Sequence, residues 1–211
     1  VGGLAIQFDE LKKIINKKEV KEKFNPQSEN QKKLGRIMIL SDAAHSFGAK
    51  YKGKNLGSEV DFTVFSFHAV KNLTTAEGGA ICINLPAPFK NDEIYKQLNT
   101  LSLHGQNKDA LAKTQKGSWE YDVIDAGFKC NMTDILASIG LVELERYETE
   151  TLPVRKSVFE EYSKLLSAYE WAITPHYQDE NRESSYHLYL LRIKDVTLEQ
   201  RNAIIQEIFE Q

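Results

Sequence analysis

Apolar residues in this chain fall into short unbroken runs set between longer amphipathic stretches. The runs lie at 36–40 (Arg36-Ile37-Met38-Ile39-Leu40), 61–67 and 79–84. Runs this short, apolar throughout and bounded by turn residues, predict strands buried on both faces of a sheet. Gly48, Gly53 and Gly57 mark turns between the first two runs, and Pro86 and Pro88 end the third. Leu11, Ile14 and Ile15 share one helical face, with Asp9 as the expected cap. Residues 91–103 form a second helix candidate. Met132, Ile135, Leu136, Ile139, Val142 and Leu144 keep a helical period behind Thr133 and Asp134, which suit a helix start. A helix over 152–169 accepts Pro153 in its first turn. A strand is predicted over 186–193, and Thr197 caps a last helix through Phe209. Residues 25–33 are polar, contain Pro26 and predict a loop. Residues 104–125 lack any period, and a loop that long inside a compact domain is usually functional.

This alternation predicts an α/β fold with a mostly parallel sheet covered by helices. Residues 1–150 form part of a large α/β domain in this reading. Residues 151–211 supply a connecting helix and the start of a small C-terminal α+β subdomain. Ala137, Ser138 and Gly140 leave room for close approach of another element. The chain has 211 residues, 41% of them hydrophobic and 27% charged, which is ordinary for a globular protein. A net charge of -3 gives no bulk electrostatic case for nucleic acid or an anionic membrane. The early lysines alternate with Glu10, Glu19 and Glu22, the pattern of a solvated helix face. No apolar run approaches the ~18 residues a spanning helix needs. No secretory signal is evident either, so a cytoplasmic, reducing setting is expected. Cys82 and Cys130 are too few for a zinc site, an iron–sulfur cluster or a disulfide framework, and no metal is predicted. The abrupt start at Val1, and the end at Gln211 within a helical pattern, predict a piece of a longer protein.

The chemistry gathers at the strand ends. Asp42 follows the first strand, Ser66 lies near the end of the second, and Lys71 sits in the turn before Gly78-Gly79. In open α/β sheets ligands bind beyond the carboxyl ends of the strands. A lysine and an acid placed there are what a pyridoxal phosphate enzyme needs. The lysine supplies a Schiff base, and the acid partners the pyridinium nitrogen. His45 could contact the ring hydroxyl, and the Ser66 hydroxyl suits a phosphate oxygen. Singly each has a plainer reading: Asp42 as a cap, Ser66 as a turn donor, His45 as a structural histidine, Lys71 as a surface lysine. Their order and strand contexts together favour the cofactor.

The segments Asp42-Ala43-Ala44-His45-Ser46-Phe47-Gly48-Ala49, Phe65-Ser66-Phe67-His68 and Lys71-Asn72 resemble the DegT/DnrJ/EryC1/StrS aminotransferases. So do Thr74-Thr75-Ala76-Glu77-Gly78-Gly79, Leu103-His104-Gly105, residues 127–135, residues 141–146 and Ser185-Tyr186-His187-Leu188-Tyr189. That resemblance covers essentially the whole chain. It implies the aspartate aminotransferase fold (fold type I) and pyridoxal 5'-phosphate as cofactor. It also implies transfer of an amino group from an amino acid, usually glutamate, to a nucleotide-linked keto-sugar, as in polysaccharide biosynthesis. By the same resemblance Lys71 is the Schiff-base lysine, Asp42 the partner of the pyridine nitrogen, His45 the neighbour of the ring hydroxyl and Ser66 a phosphate ligand. Asn131 lies in the segment that reaches the phosphate from a neighbouring subunit, and a homodimer is implied. His104 and Trp119 lie in the loop that, by the same resemblance, borders the substrate. Relatives with a histidine in place of the lysine dehydrate or deoxygenate their sugars, and Lys71 argues against that activity. A different reading is a non-catalytic fragment, or a regulatory or dimerising protein, that keeps the fold without binding cofactor.

Overall fold

The computed structural model describes residues 2–107 and 120–210. Three short helices open the chain: α1 (Phe8–Asn16), α2 (Lys18–Lys23) and α3 (Glu29–Leu34). Helix α1 buries Phe8 and Ile15 against Ala5, Ile39, Tyr51 and Val60, with Leu11 and Leu56 at the margin. The Phe8 ring meets Tyr51 edge-on, with centroids 5.3 Å apart. Asp9 is not the cap that its position suggested. Burying Phe8 within the helix moves the start back to Gln7, and Asp9, in the first turn, pairs with Lys52 instead. The loop expected over 25–33 is corrected as well. Ser28 and Gln31 form a reciprocal capping box, and Gly35, at φ 65°, closes α3.

A sheet of three strands follows, in the order β1 (Leu40–Asp42), β4 (Phe62–Ser66), β5 (Gly79–Ile83). Strand β1 runs parallel to β4, pairing Leu40 with Phe62 and Asp42 with Val64. Strand β5 is antiparallel to β4 and pairs Gly79 with Ser66, so the sheet is mixed. A Cβ on Gly79 would lie 2.6 Å from the Phe65 carbonyl, which is why glycine stands there.

Strand β1 begins later than the apolar run predicts, because a charge pair claims the backbone before it. Arg36 donates to both Asp61 oxygens, at 2.7 and 2.6 Å, and Ile39 N–H donates to Asp61 Oδ2 at 2.8 Å. Burial pushes the Asp61 carboxyl up, but these donors outweigh it and hold it below the usual carboxylate range.

Two small strands, β2 (Lys50–Tyr51) and β3 (Lys54–Asn55), turn back at Gly53. Helix α4 (Asn91–Ser102) follows β5. Thr133 caps α5 (Asp134–Arg146), accepting from Leu136 N–H at 3.4 Å. One π-helical turn (Tyr147–Thr151) joins α5 to α6 (Leu152–Leu166), which carries Pro153 in its first turn as predicted. Strand β6 (Ala172–Ile173) pairs with β8 (Arg192–Ile193), while β7 (Arg182–Glu183) pairs back onto β2. The strand predicted over 186–193 shrinks to β8. Tyr186 adopts φ 54° and donates its N–H to Ser184 Oγ at 3.0 Å, which breaks the extended path. Helix α7 (Leu198–Glu210) is capped by Thr197 as expected.

Helix α5 makes its close approach at Gly140, where a Cβ would meet Thr75 Cγ2 at 2.8 Å, while Ser138 is exposed. Ile135, Leu141, Val142 and Leu144 on the same helix are more than half exposed. Among the described residues no helix is long and apolar enough to cross a membrane.

Candidate active site

The parallel pairing of β1 and β4 brings their carboxyl ends to one edge. Asp42 ends β1 there, and Ser66 ends β4. His45 follows the first strand, and Lys71 lies in the turn after the second. Asp42 Oδ1 accepts from Ala44 N–H at 3.0 Å, and among the described residues Oδ2 has no hydrogen-bond donor. Lys71 is half-buried. Its N–H donates to His68 O at 2.9 Å, while Nζ makes no hydrogen bond or ion pair among the described residues. Among the described residues Ser66 Oγ holds only a long contact, 3.4 Å, from His68 N–H.

Beneath this edge lies an aromatic cluster. Phe47 meets Phe65, Phe67 and Tyr147 edge-on, with centroids 5.6, 5.8 and 5.0 Å away. Tyr147 is fully buried and donates to Phe47 O at 2.7 Å. Burial pushes its pKa up, so the hydroxyl remains a donor. Gly48 sits at φ 86°, and a Cβ there would lie 2.5 Å from Tyr147 Cε1. Gly48→Ala is therefore expected to destabilise the chain by about 1–3 kcal/mol through overpacking and strain. Thermal melting checks this, and an unchanged midpoint would show that the ring moves aside freely.

Asn72, next to Lys71, binds the site together. It is buried and reaches Ser185 O, Tyr147 Oη and His187 Nδ1. His187 in turn packs its ring on His45, with centroids 4.2 Å apart. Ser185 Oγ donates to the His45 carbonyl at 2.6 Å. Nothing in the local sequence around Asn72, Tyr147 or His187 marks them as partners. Asn72 and His187 fall inside the motifs quoted above, whereas Tyr147 is ordinary in sequence.

The other expected residues lie apart from this group. Asn131 accepts from Lys129 Nζ and donates to Met132 O at 3.2 Å. With Cys130 and Met132 it lines a groove of about 400 Å³ along Gly78, Gly79 and Ile81. His104 is exposed at φ 61°, beyond the end of α4, and its N–H donates to Phe128 O at 2.9 Å. Trp119 lies outside the described residues.

Among the described residues no cluster of His, Cys, Asp or Glu could hold a metal ion. The edge does fit pyridoxal phosphate: the half-buried Lys71, whose Nζ has no partner among the described residues, follows one parallel strand, and Asp42, with an oxygen that accepts no hydrogen bond among the described residues, ends the other.

Comparison with known proteins agrees with this chemistry. The chain is 35% identical over 160 residues to the spore coat polysaccharide biosynthesis protein SpsC of Bacillus subtilis, covering 75% of this chain and 39% of that protein. It is 30% identical over 188 residues to the UDP-4-amino-4,6-dideoxy-N-acetyl-beta-L-altrosamine transaminase of Campylobacter jejuni, covering 89% and 42%. The chain thus spans less than half the length of these curated relatives. Among solved structures it is similar to Spr1654 of Streptococcus pneumoniae, described as a sugar aminotransferase, in its PMP form. That match has a TM-score of 0.86 and 45% identity over 98% of this chain and 51% of the other. The same protein has also been seen in a PLP form and an apo form. The sequence model of one family matches residues 31–211, and the chain belongs to that family, the DegT/DnrJ/EryC1/StrS aminotransferases.

Proposed function

We propose that this chain serves a pyridoxal phosphate-dependent transamination from an amino acid, glutamate in the family's usual reaction, to a nucleotide-linked keto-sugar. The observation that carries the proposal is the placement of Asp42 at the carboxyl end of β1 and of Lys71, whose Nζ has no partner among the described residues, in the turn after the parallel strand β4. The named sugar and polysaccharide roles of the relatives support the acceptor class.

The cofactor, when bound, supplies an aldehyde that takes up amines and a ring that stores the electron pair left by proton removal. Lys71 Nζ is its anchor, and the same nitrogen holds and returns the proton taken from the substrate carbon. Asp42 keeps the ring nitrogen protonated by placing a negative charge beside it. His45 borders the ring hydroxyl, and Ser66 Oγ donates to the phosphate. Asn131 serves the phosphate site of a neighbouring copy, and His104 and Trp119 border the sugar. The reading includes a homodimer, and the exposed apolar residues of α5 are a surface that a second copy would cover. The division into a cofactor domain over 1–150 and a second unit over 151–211 belongs to the same proposal.

Asp42→Asn tests the ring-nitrogen role. The variant is expected to take up pyridoxal phosphate but lose on the order of 10²–10³ in transamination rate, the scale of one preorganised electrostatic contact. Glutamate half-reaction kinetics read this. A native rate in the variant would remove Asp42 from the mechanism. Failure of the native chain to develop a visible absorbance band with pyridoxal phosphate would favour the non-catalytic reading.

A further inference from the structure

The amide of Asn72 can be oriented without ambiguity. Its Nδ2 faces two carbonyls, Ser185 O at 2.7 Å and Phe47 O at 3.4 Å, and the Tyr147 hydroxyl at 3.2 Å. Carbonyl oxygens only accept, so the nitrogen must be on that side. Oδ1 then faces His187 Nδ1 at 2.6 Å. An amide oxygen also only accepts, so His187 Nδ1 must carry the hydrogen. The neutral ring is thereby fixed as the Nδ1–H tautomer, with its lone pair on Nε2. Burial, followed by the nearby His45, Arg155 and Lys71, holds the basicity of His187 down to about 4. The ring is therefore neutral at physiological pH. Three stretches of chain converge on this one amide of the Lys71 turn: the loop after β1, the π-helical turn and the segment after β7.

We propose that His187 is a positioning residue: its Nδ1–H locks Asn72, and with it the turn that carries Lys71, while its ring buttresses His45. This rests on the cofactor reading given above. Through Asn72 it gives the segment after β7 a hold on the Lys71 turn, although that segment lies more than a hundred residues away in sequence.

Two measurements test it. Nitrogen-15 NMR of the histidines, on the chain without cofactor at neutral pH, should show His187 as the neutral Nδ1–H tautomer. An Nε2–H tautomer or a charged ring would overturn the lock. The second uses His187→Leu, which removes the donor, and His187→Asn, whose Nδ2 stands close to the place of the native Nδ1. His187→Leu is expected to weaken pyridoxal phosphate binding about tenfold, the worth of one buried hydrogen bond, and to shift the pH midpoint of the bound cofactor's visible band. His187→Asn should restore both. Native binding and a native midpoint in His187→Leu would overturn the proposal. So would an asparagine variant that melts like the native chain yet behaves like the leucine one. If the native chain takes up no pyridoxal phosphate, the cofactor reading falls, and the tautomer still decides whether the lock exists.

Discussion

Replacing Lys71 by alanine is expected to abolish the visible band that pyridoxal phosphate gives with the native chain, and to end transamination. The turn that holds Lys71 is built by its neighbours: Asn72 and Leu73 are buried, and Thr75 N–H donates to Phe67 O at 2.9 Å. The Lys71 side chain supports none of this, since its Nζ has no partner among the described residues. The variant should therefore fold and melt like the native chain while losing its chemistry. Loss of proton transfer alone costs on the order of 10²–10⁴-fold in rate, and loss of the covalent anchor adds to that. Absorbance and glutamate half-reaction rates, measured on the same preparation, check the prediction. A variant that retains the band would move the anchor to another lysine.

The largest expected effect on stability belongs to Asp61→Ala. Asp61 is buried, and its carboxylate joins Arg36 to Ile39 N–H, tying the approach to β1 onto the start of β4. Removing it leaves a guanidinium and a backbone donor without their acceptor. The expected cost is about 3 kcal/mol, the lower end for breaking a buried pair, because the Arg36 side chain keeps 17% of its surface in solvent. Denaturant unfolding reads this directly. The pair also sets a direction with pH. A carboxyl whose folded pKa is depressed adds stability above its unfolded value, near 3.8, and loses it as pH falls through the folded one. The native chain should thus weaken in acid below the ordinary carboxylate range, and Asp61→Ala should show less of that dependence. A variant as stable as the native chain would mean that the pair merely offsets its own desolvation.

Strand and helix periods were readable wherever one face or both faces pack. Strands β4 and β5, and helices α4, α5 and α7, lie close to where apolar spacing and the Thr133 and Thr197 caps put them. The errors arose where a polar side chain competed for the backbone. Asp61 delays β1, Ser184 helps to turn the chain at Tyr186, and the Ser28–Gln31 box makes a helix of a stretch that Pro26 marks as a loop. That box was legible as Ser-x-x-Gln followed by Gly35. The site was legible in part for the same reason. Asp42, Ser66 and Lys71 are placed by strand ends, which sequence reveals. Asn72, Tyr147 and His187 meet through contacts between residues distant in sequence, and no local spacing encodes those contacts.

The central claim is that Lys71 is the covalent anchor of pyridoxal phosphate. Its most direct test is to incubate the chain with the cofactor, reduce the mixture with borohydride, and map the modified peptide by mass spectrometry. The account predicts a pyridoxyl group on Lys71, absent when the cofactor is omitted. Modification spread over the exposed lysines with Lys71 spared, or no modification of a folded chain, would contradict it.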